Sequence, residues 1–338
     1  MAKIRPPRFQ GTFQLDDGRK LGYAEYGPAT GRPLLWFHAS PGAKWQIAPD
    51  AREDAYDRDI RIITLERPGV GDSTLHLYNA IVDWARDVEE FCDAKGIDKF
   101  DVVGLSGGGP YALAVAHEMP ERVSSAVILG SLAPATGPEV TEGIVSTATR
   151  IASPIMKHVR APLNLLMRNL IRVAAPRADQ LIQLVTSRMP PGDRDLFVNP
   201  LTRQMFIEDI VNGGREQMQA FLIDGYLFGR DWGFLLKDIR VQVHMWHGDA
   251  DPIIPLEHCQ HMVDLIPGAT FRVRPGEGHL GGLGAFHEIV DTLNDHSTKK
   301  PAASTRSRKK KSVSTSRKTQ TKKSAPRTTR RSRSATSS

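Results

Sequence analysis

The sequence predicts an α/β fold: a mostly parallel sheet with helices on both faces. Three observations point to it. Continuous apolar runs such as "PLLWFHAS" (33–40) and "IRIITLERPG" (60–69) suit strands buried on both faces of a parallel sheet. Segments with helical apolar spacing lie between such runs. The alternation of strand and helix resumes after residue 235, which is the pattern of an open doubly wound sheet.

Each element follows in order. "RFQGTFQL" and "KLGYAEYG" alternate and end at Asp17-Gly18 and Gly27-Pro28, which predicts a hairpin of edge strands. "KWQIAPDAREDAYDRD" (44–59) reads as helical. In "NAIVDWARDVEEFCDAKG" (79–96), Ile81, Trp84, Val88 and Phe91 fall at helical spacing, and Gly96 closes the helix. "FDVVGLS" is a strand, "GGPYALAVAHEMP" a helix and "VSSAVILGS" a strand. After residue 235 come "VQVHMWHG", a helix near 256–265, "TFRVRPGEG" and a last helix near 283–294. Residues 135–235 break the rhythm. No strand is read there, and "PLNLLMRNLIRVAAP" and "REQMQAFLIDGYLFGRDW" read as helices. The expected organisation is a core of residues 1–134 and 236–296, a helical cap of 135–235 over the strand ends, and a tail of 297–338.

The net charge of +7 conceals two opposite parts. Residues 297–338 hold 15 Lys and Arg and no acid, so the remainder carries 30 basic against 38 acidic residues. The tail, rich in Ser, Thr, Lys and Arg, cannot bury a core and is expected to be disordered. Its charge suits nonspecific nucleic acid, with steep salt dependence, or an anionic membrane. No aromatic residues are interleaved for base stacking. Two cysteines make no disulfide framework. The N-terminus has no apolar signal region, and no run of about 18 apolar residues is present. A cytoplasmic location is the expectation, with no transmembrane segment, and no cofactor or metal is expected.

Chemistry centres on Gly104-Leu105-Ser106-Gly107-Gly108, a G-x-S-x-G match between a predicted strand and a predicted helix. A serine nucleophile presented on a sharp strand-to-helix turn needs that context, and flanking glycines leave room where a Cβ would clash. A serine also needs a base and a group to orient it. His279 follows the last predicted strand; Asp249 and Asp251 follow the strand before it. The chain order is Ser, Asp, His.

With these motifs the sequence resembles the α/β-hydrolase superfamily, in its serine-nucleophile, cap-containing esterase- and lipase-like branch. The resemblance covers nearly all of residues 10–295 apart from the cap. It implies Asp251, in Gly248-Asp249-Ala250-Asp251 before "PIIP", as the acid, with Asp249 second, and His279, in a G-x-G-H ending, as the base. It implies an oxyanion hole from the backbone N–H groups of Gly107 and Ser40, the latter in His38-Ala39-Ser40-Pro41-Gly42, where similar enzymes read H-G-x-P-G; Ala39 stands in place of the usual Gly. His38, His244 and His247 are expected to be structural or to support the reacting residues from behind. "ERPGVGDST" (66–74) resembles the family's D-R-P-G-x-G-x-S loop, with Glu66 for Asp, and reads as scaffold.

A serine nucleophile argues against the epoxide hydrolases and haloalkane dehalogenases of the superfamily, which use a carboxylate. The resemblance implies hydrolysis of a carboxylic ester, small or lipid, through an acyl-enzyme; peptidase and C–C hydrolase chemistry are the neighbouring options. The alternative from another class is a catalytically silent ligand-binding protein, anchored by its tail to nucleic acid or anionic membrane. Between Gly143 and Ala178 lie Arg150, Lys157, Arg160, Arg168, Arg172 and Arg177 and no acid, interleaved with apolar residues. Such helices can lie on an anionic membrane. The simpler expectation, preferred here, is a cap with its apolar side over the active site and its charged side in water.

Overall fold

A computed structural model describes residues 3–213 and 217–298. The strands are β1 (Phe9–Gln14), β2 (Lys20–Tyr26), β3 (Arg32–Phe37), β4 (Ile60–Leu65), β5 (Phe100–Leu105), β6 (Val123–Leu129), β7 (Val243–Gly248) and β8 (Thr270–Arg274). The helices are α1 (Pro49–Asp57), α2 (Trp84–Ala94), α3 (Gly109–Glu118), α4 (Ile144–Ala174), α5 (Ala178–Thr186), α6 (Pro191–Leu196), α7 (Pro200–Asn212), α8 (Gln217–Phe228), α9 (Leu256–Leu265) and α10 (Phe286–Thr298).

The strands form one eight-stranded sheet in the order β1-β2-β4-β3-β5-β6-β7-β8. From β4 onward every neighbour pair is parallel; β1–β2 and β2–β4 are antiparallel. The hairpin prediction needs one correction: β1 is an edge, but β2 pairs on both sides and is interior. Its seven residues explain this, since all but Lys20 are buried.

Strand side chains alternate between two cores. Leu35, Phe37, Ile63, Leu65 and Val102 pack with α2, α3 and α9 through Trp84, Phe91, Tyr111 and Met262. Leu34, Trp36, Ile62, Val103 and Leu105 point the other way, toward α1 and α10, through Ala51, Ala55, Phe286 and Ile289. The continuous apolar runs are therefore two interleaved faces, each covered by helices. In α2 the helical spacing buries Trp84, Val88 and Phe91, and Gly96 follows with φ +63°.

Strand order places a crevice. From β3 the chain crosses to β4 on one side, then returns to β5 on the other side of β3. The loops after β3 and β5 therefore diverge from adjacent strand ends, which is where open α/β sheets bind ligands.

Between β6 and β7 stand α4 to α8, with no strand among the described residues. The helical segment predicted from Pro162 is part of a longer helix. α4 runs 31 residues through Pro154 and Pro162, although proline removes a helical donor and disfavours such continuity. The tail predicted at 297–338 contributes Ser297 and Thr298 to α10; the rest lies outside the described residues. No helix among the described residues is long and apolar enough to cross a membrane.

Candidate active site

Ser106 sits between β5 and α3 with φ +52°, one of two positive-φ non-glycine residues described. A bulky backbone conformation of this kind costs energy and persists only when surroundings enforce it. The glycines around it are enforced by contact. A Cβ on Gly104 would stand 2.7 Å from the Gly108 carbonyl oxygen, and one on Gly108 would stand 2.3 Å from that of Phe37. A Cβ on Gly107 would stand 2.5 Å from the Ser40 Cβ and 3.2 Å from the Ser40 nitrogen. The turn after β5 is thus pressed against the loop after β3, and Gly107 and Ser40 share one wall of the crevice.

Ser106 Oγ lies 2.7 Å from Nε2 of His279, and Nδ1 of His279 lies 2.7 Å from Oδ2 of Asp251. The three residues, from the loops after β5, β7 and β8, form one hydrogen-bonded chain. Ser106 and His279 are both largely buried, and the Asp251 carboxylate almost wholly so. Burial pushes Asp251 upward. Hydrogen bonds from His247 and His279 and the N–H of Ile254 outweigh it and hold the carboxyl well below its usual range. Oδ1 accepts from the N–H groups of Ile253 and Ile254 at 2.8 and 3.0 Å. Asp249 points elsewhere: it is exposed and accepts from the Gly276 N–H at 2.7 Å.

The histidines expected to be structural make local bonds. His38 is fully buried, and burial with the Arg67 guanidinium pushes it well below the usual imidazole range. A neutral ring can donate from Nδ1 to the Ala39 carbonyl at 2.7 Å and accept the Arg67 N–H at Nε2, 3.4 Å away. His247 Nε2 bonds to the Ile254 carbonyl at 2.9 Å. His244 contacts the Thr270 hydroxyl at 2.8 Å.

Three aspartates that sequence reading did not single out, with Arg67 of the 66–74 loop, hold the site together. Asp224 in α8 accepts from the Ser40 hydroxyl at 2.6 Å, from the Tyr111 hydroxyl at 2.6 Å and from Arg67 at 2.9 Å. Arg67, itself buried, also donates to the carbonyls of His38 and Ala39 at 2.8 and 3.0 Å. Asp209 in α7 accepts from the Ala43 N–H with both oxygens at 3.1 Å, and burial pushes its carboxyl up to about 7. Asp193 in α6 accepts from the N–H groups of Gly278 and Leu280, either side of His279, at 3.0 and 3.2 Å. Three carboxylates from the inserted helices therefore brace the loop after β3 and the loop bearing His279. Glu66, read as scaffold, is buried against Lys44 and accepts from the Asp72 N–H at 2.9 Å.

Among the described residues no group of three or more His, Cys, Asp and Glu could hold a metal ion. Beside the site, a mostly apolar groove of about 580 Å³ runs between α4, α7 and α8; Pro41, Met167, Ile171, Ile210, Val211 and Met218 line it. It reaches Pro41, the neighbour of Ser40.

Comparison with known proteins agrees with this architecture. A proline iminopeptidase of Xylella fastidiosa is 27% identical over 81% of this chain and 91% of its own length. A 2-hydroxy-6-oxo-2,4-heptadienoate hydrolase of Pseudomonas putida is 24% identical over 78% and 88%. Among solved structures, a thermophilic esterase from Thermogutta terrifontis superposes with a TM-score of 0.61 at 20% identity, covering 85% of this chain and 99% of that one. The enol-lactonase of Burkholderia xenovorans does so with 0.61 at 16% identity, covering 86% and 100%. Residues 32–285, three quarters of the chain, match the family model for the alpha/beta hydrolase fold, and the protein belongs to that family.

Proposed function

We propose that the protein is a serine hydrolase acting on carboxylic esters with an apolar acyl or alcohol part. The observation that carries this is the Ser106–His279–Asp251 chain with both links at 2.7 Å. His279 takes the Ser106 proton as the oxygen attacks the ester carbonyl, and Asp251 holds the ring with Nε2 toward the serine. The depressed Asp251 carboxyl is suited to stay ionised beside the imidazolium that forms. The N–H groups of Gly107 and Ser40 receive the oxyanion. Collapse expels the alcohol with the proton from His279, and water activated by the same histidine releases the acid.

The inserted helices act as a cap, and the groove they border supplies apolar space for the ester. Ester is favoured over an N-terminal peptide amine by the engagement of the carboxylates the cap brings in. Asp193 is taken by two backbone N–H groups, and Asp224 by Arg67, Ser40 and Tyr111. The relatives named for peptidase and C–C hydrolase activity share the fold, which hosts many chemistries.

A fluorophosphonate probe, which phosphonylates activated serines, tests the nucleophile directly. Labelling mapped to the peptide carrying Ser106 and absent in His279→Ala is the expected result. No labelling of folded protein would move the reading to a silent ligand-binding role.

A further inference from the structure

The long helix α4 is apolar on the side that faces away from the rest of the protein. Ile144, Ala148, Ile151, Ile155, Val159, Pro162, Leu166, Leu170 and Val173 recur every three or four residues, so they form one continuous stripe along the helix. All are exposed, Ile151 by 64% and Val173 by 79%. The opposite face packs on α8 with buried Ser146, Ser153 and Asn164 among the partly buried apolar side chains Val145, Met156, Met167 and Ile171. The Ser153 hydroxyl donates to the Tyr226 carbonyl at 2.7 Å. The two helices meet closely at Gly225 and Gly229, where a Cβ would stand 2.4 Å from the Met156 sulfur and the Ser153 Cβ. That packing fixes which side of α4 points outward. The expectation of an apolar side turned inward and a charged side in water is therefore incomplete: Met156, Met167 and Ile171 turn inward and Arg150, Lys157 and Arg172 are exposed, but a second apolar stripe also faces outward.

We propose that this outward face of α4 docks on the surface of an anionic phospholipid bilayer. Charge selects the occupant. The span from Gly143 to Ala178 holds six Lys and Arg and no acid. Arg150, Lys157 and Arg172 are exposed on α4 but lie away from the stripe: the Lys157 ammonium stands 5.4 Å from the Tyr226 ring centroid and Arg172 borders the groove between α4 and α7. Their charge draws the helix to an anionic surface through space, within a screening length of about 8–10 Å, while the apolar stripe enters the acyl boundary. The next helix, α5, also exposes Leu184 and Val185, followed by Arg188. A second copy pairing through the same stripe would bring two all-basic helices together, which like-charge repulsion opposes. Nucleic acid would use the cations and leave the apolar stripe in water. The helix lies on the surface and does not span. The inference goes beyond ester hydrolysis and stands whether or not that reading holds.

The test is flotation of the full chain with vesicles of phosphatidylcholine plus phosphatidylglycerol, or of phosphatidylcholine alone, at low salt and at ~1 M salt. At the higher salt the screening length falls to about 3 Å, so attraction through the 15 basic residues of the tail is suppressed while apolar insertion persists. The combined variant Ile151→Ser, Ile155→Ser, Leu166→Ser, Val173→Ser changes only exposed side chains. Its circular dichroism and melting should match the parent. Expected is anionic-vesicle binding that survives in part at high salt and falls at least ~10-fold in the variant. A second variant, Arg150→Gln, Lys157→Gln, Arg172→Gln, should weaken binding at low salt to anionic vesicles only. Binding equal in parent and serine variant, binding wholly abolished by salt, or no flotation would each overturn the proposal. So would a parent dimer in sedimentation that the serine variant dissociates, which would give the face to a second copy.

Discussion

The hydroxyl of Ser40 donates to the carboxylate of Asp224 across 2.6 Å, although 184 residues separate them in the chain. The same carboxylate pairs with buried Arg67, whose guanidinium lies over the Tyr111 ring. One side chain of α8 thus fixes the loop that carries the Ser40 N–H.

Removing that carboxylate leaves Arg67 buried without its ionic partner. Asp224→Ala should cost about 3–5 kcal/mol in urea unfolding, the scale for breaking a buried pair from one side. Asp224→Asn, which keeps the acceptor shape on one oxygen, should cost less. Ser40→Ala retains the backbone N–H and should lower kcat by less than ~10-fold, because only the tether is lost. A Ser40→Ala variant as impaired as Ser106→Ala would give the Ser40 hydroxyl a direct role in the chemistry.

Asp193 acts on the other side of the site, through the N–H groups flanking His279. Asp193→Ala should leave those donors unpaired and let the imidazole shift. A displacement of about 1 Å can cost ~100-fold in rate. The expected signature is a fall in kcat toward that size with KM little changed, and the loss should be smaller in Asp193→Asn. An altered KM at constant kcat would instead make Asp193 a substrate contact.

The two aspartates after β7 separate cleanly. Asp251→Asn should reduce kcat by ~10⁴, through loss of the ring orientation and of charge beside the imidazolium. Asp249→Asn should stay near the parent, because its carboxylate caps the Gly276 N–H at the surface. Reversed rates for the two variants would contradict the assignment of Asp251.

Glu66 sets a pH dependence of stability. Burial pushes its carboxyl up to about 7 in the fold, from an ordinary value of 4.5. The folded state therefore holds the proton more tightly than the unfolded chain between these values. Its stabilising contribution is present in full below pH 4.5 and is lost as pH rises to about 7. Glu66→Gln removes this titration. It should flatten the fall of unfolding free energy over that window by up to ~1.4 kcal/mol per pH unit, measured by denaturant titration at several pH values. An unchanged slope would locate the titration elsewhere.

What the sequence makes legible is local. The turn around Ser106 is written in five adjacent residues, and its strand and helix are the immediate neighbours. His279 and Asp251 each follow a strand closely, so strand prediction carries them to the same sheet edge. The bracing carboxylates have no such signature. Asp209 and Ala43 are 166 residues apart, and Asp193 and Leu280 are 87 apart; a lone Asp in a helix does not announce its partner. Proline misled the reading of α4. Pro162 reads as a start, yet packing on α8 carries the helix through it. Amphipathicity was incomplete too, since α4 carries apolar side chains both toward the groove, at Met167 and Ile171, and outward, at Ile151, Ile155 and Val173.

The most direct measurement is hydrolysis of a p-nitrophenyl ester series of increasing acyl length by the full chain and by Ser106→Ala. The account predicts turnover by the parent, with an optimum set by the apolar groove, and a loss approaching ~10⁶ in kcat for Ser106→Ala with the fold retained. Turnover that survives in Ser106→Ala, or none on any ester by folded parent protein, would contradict it.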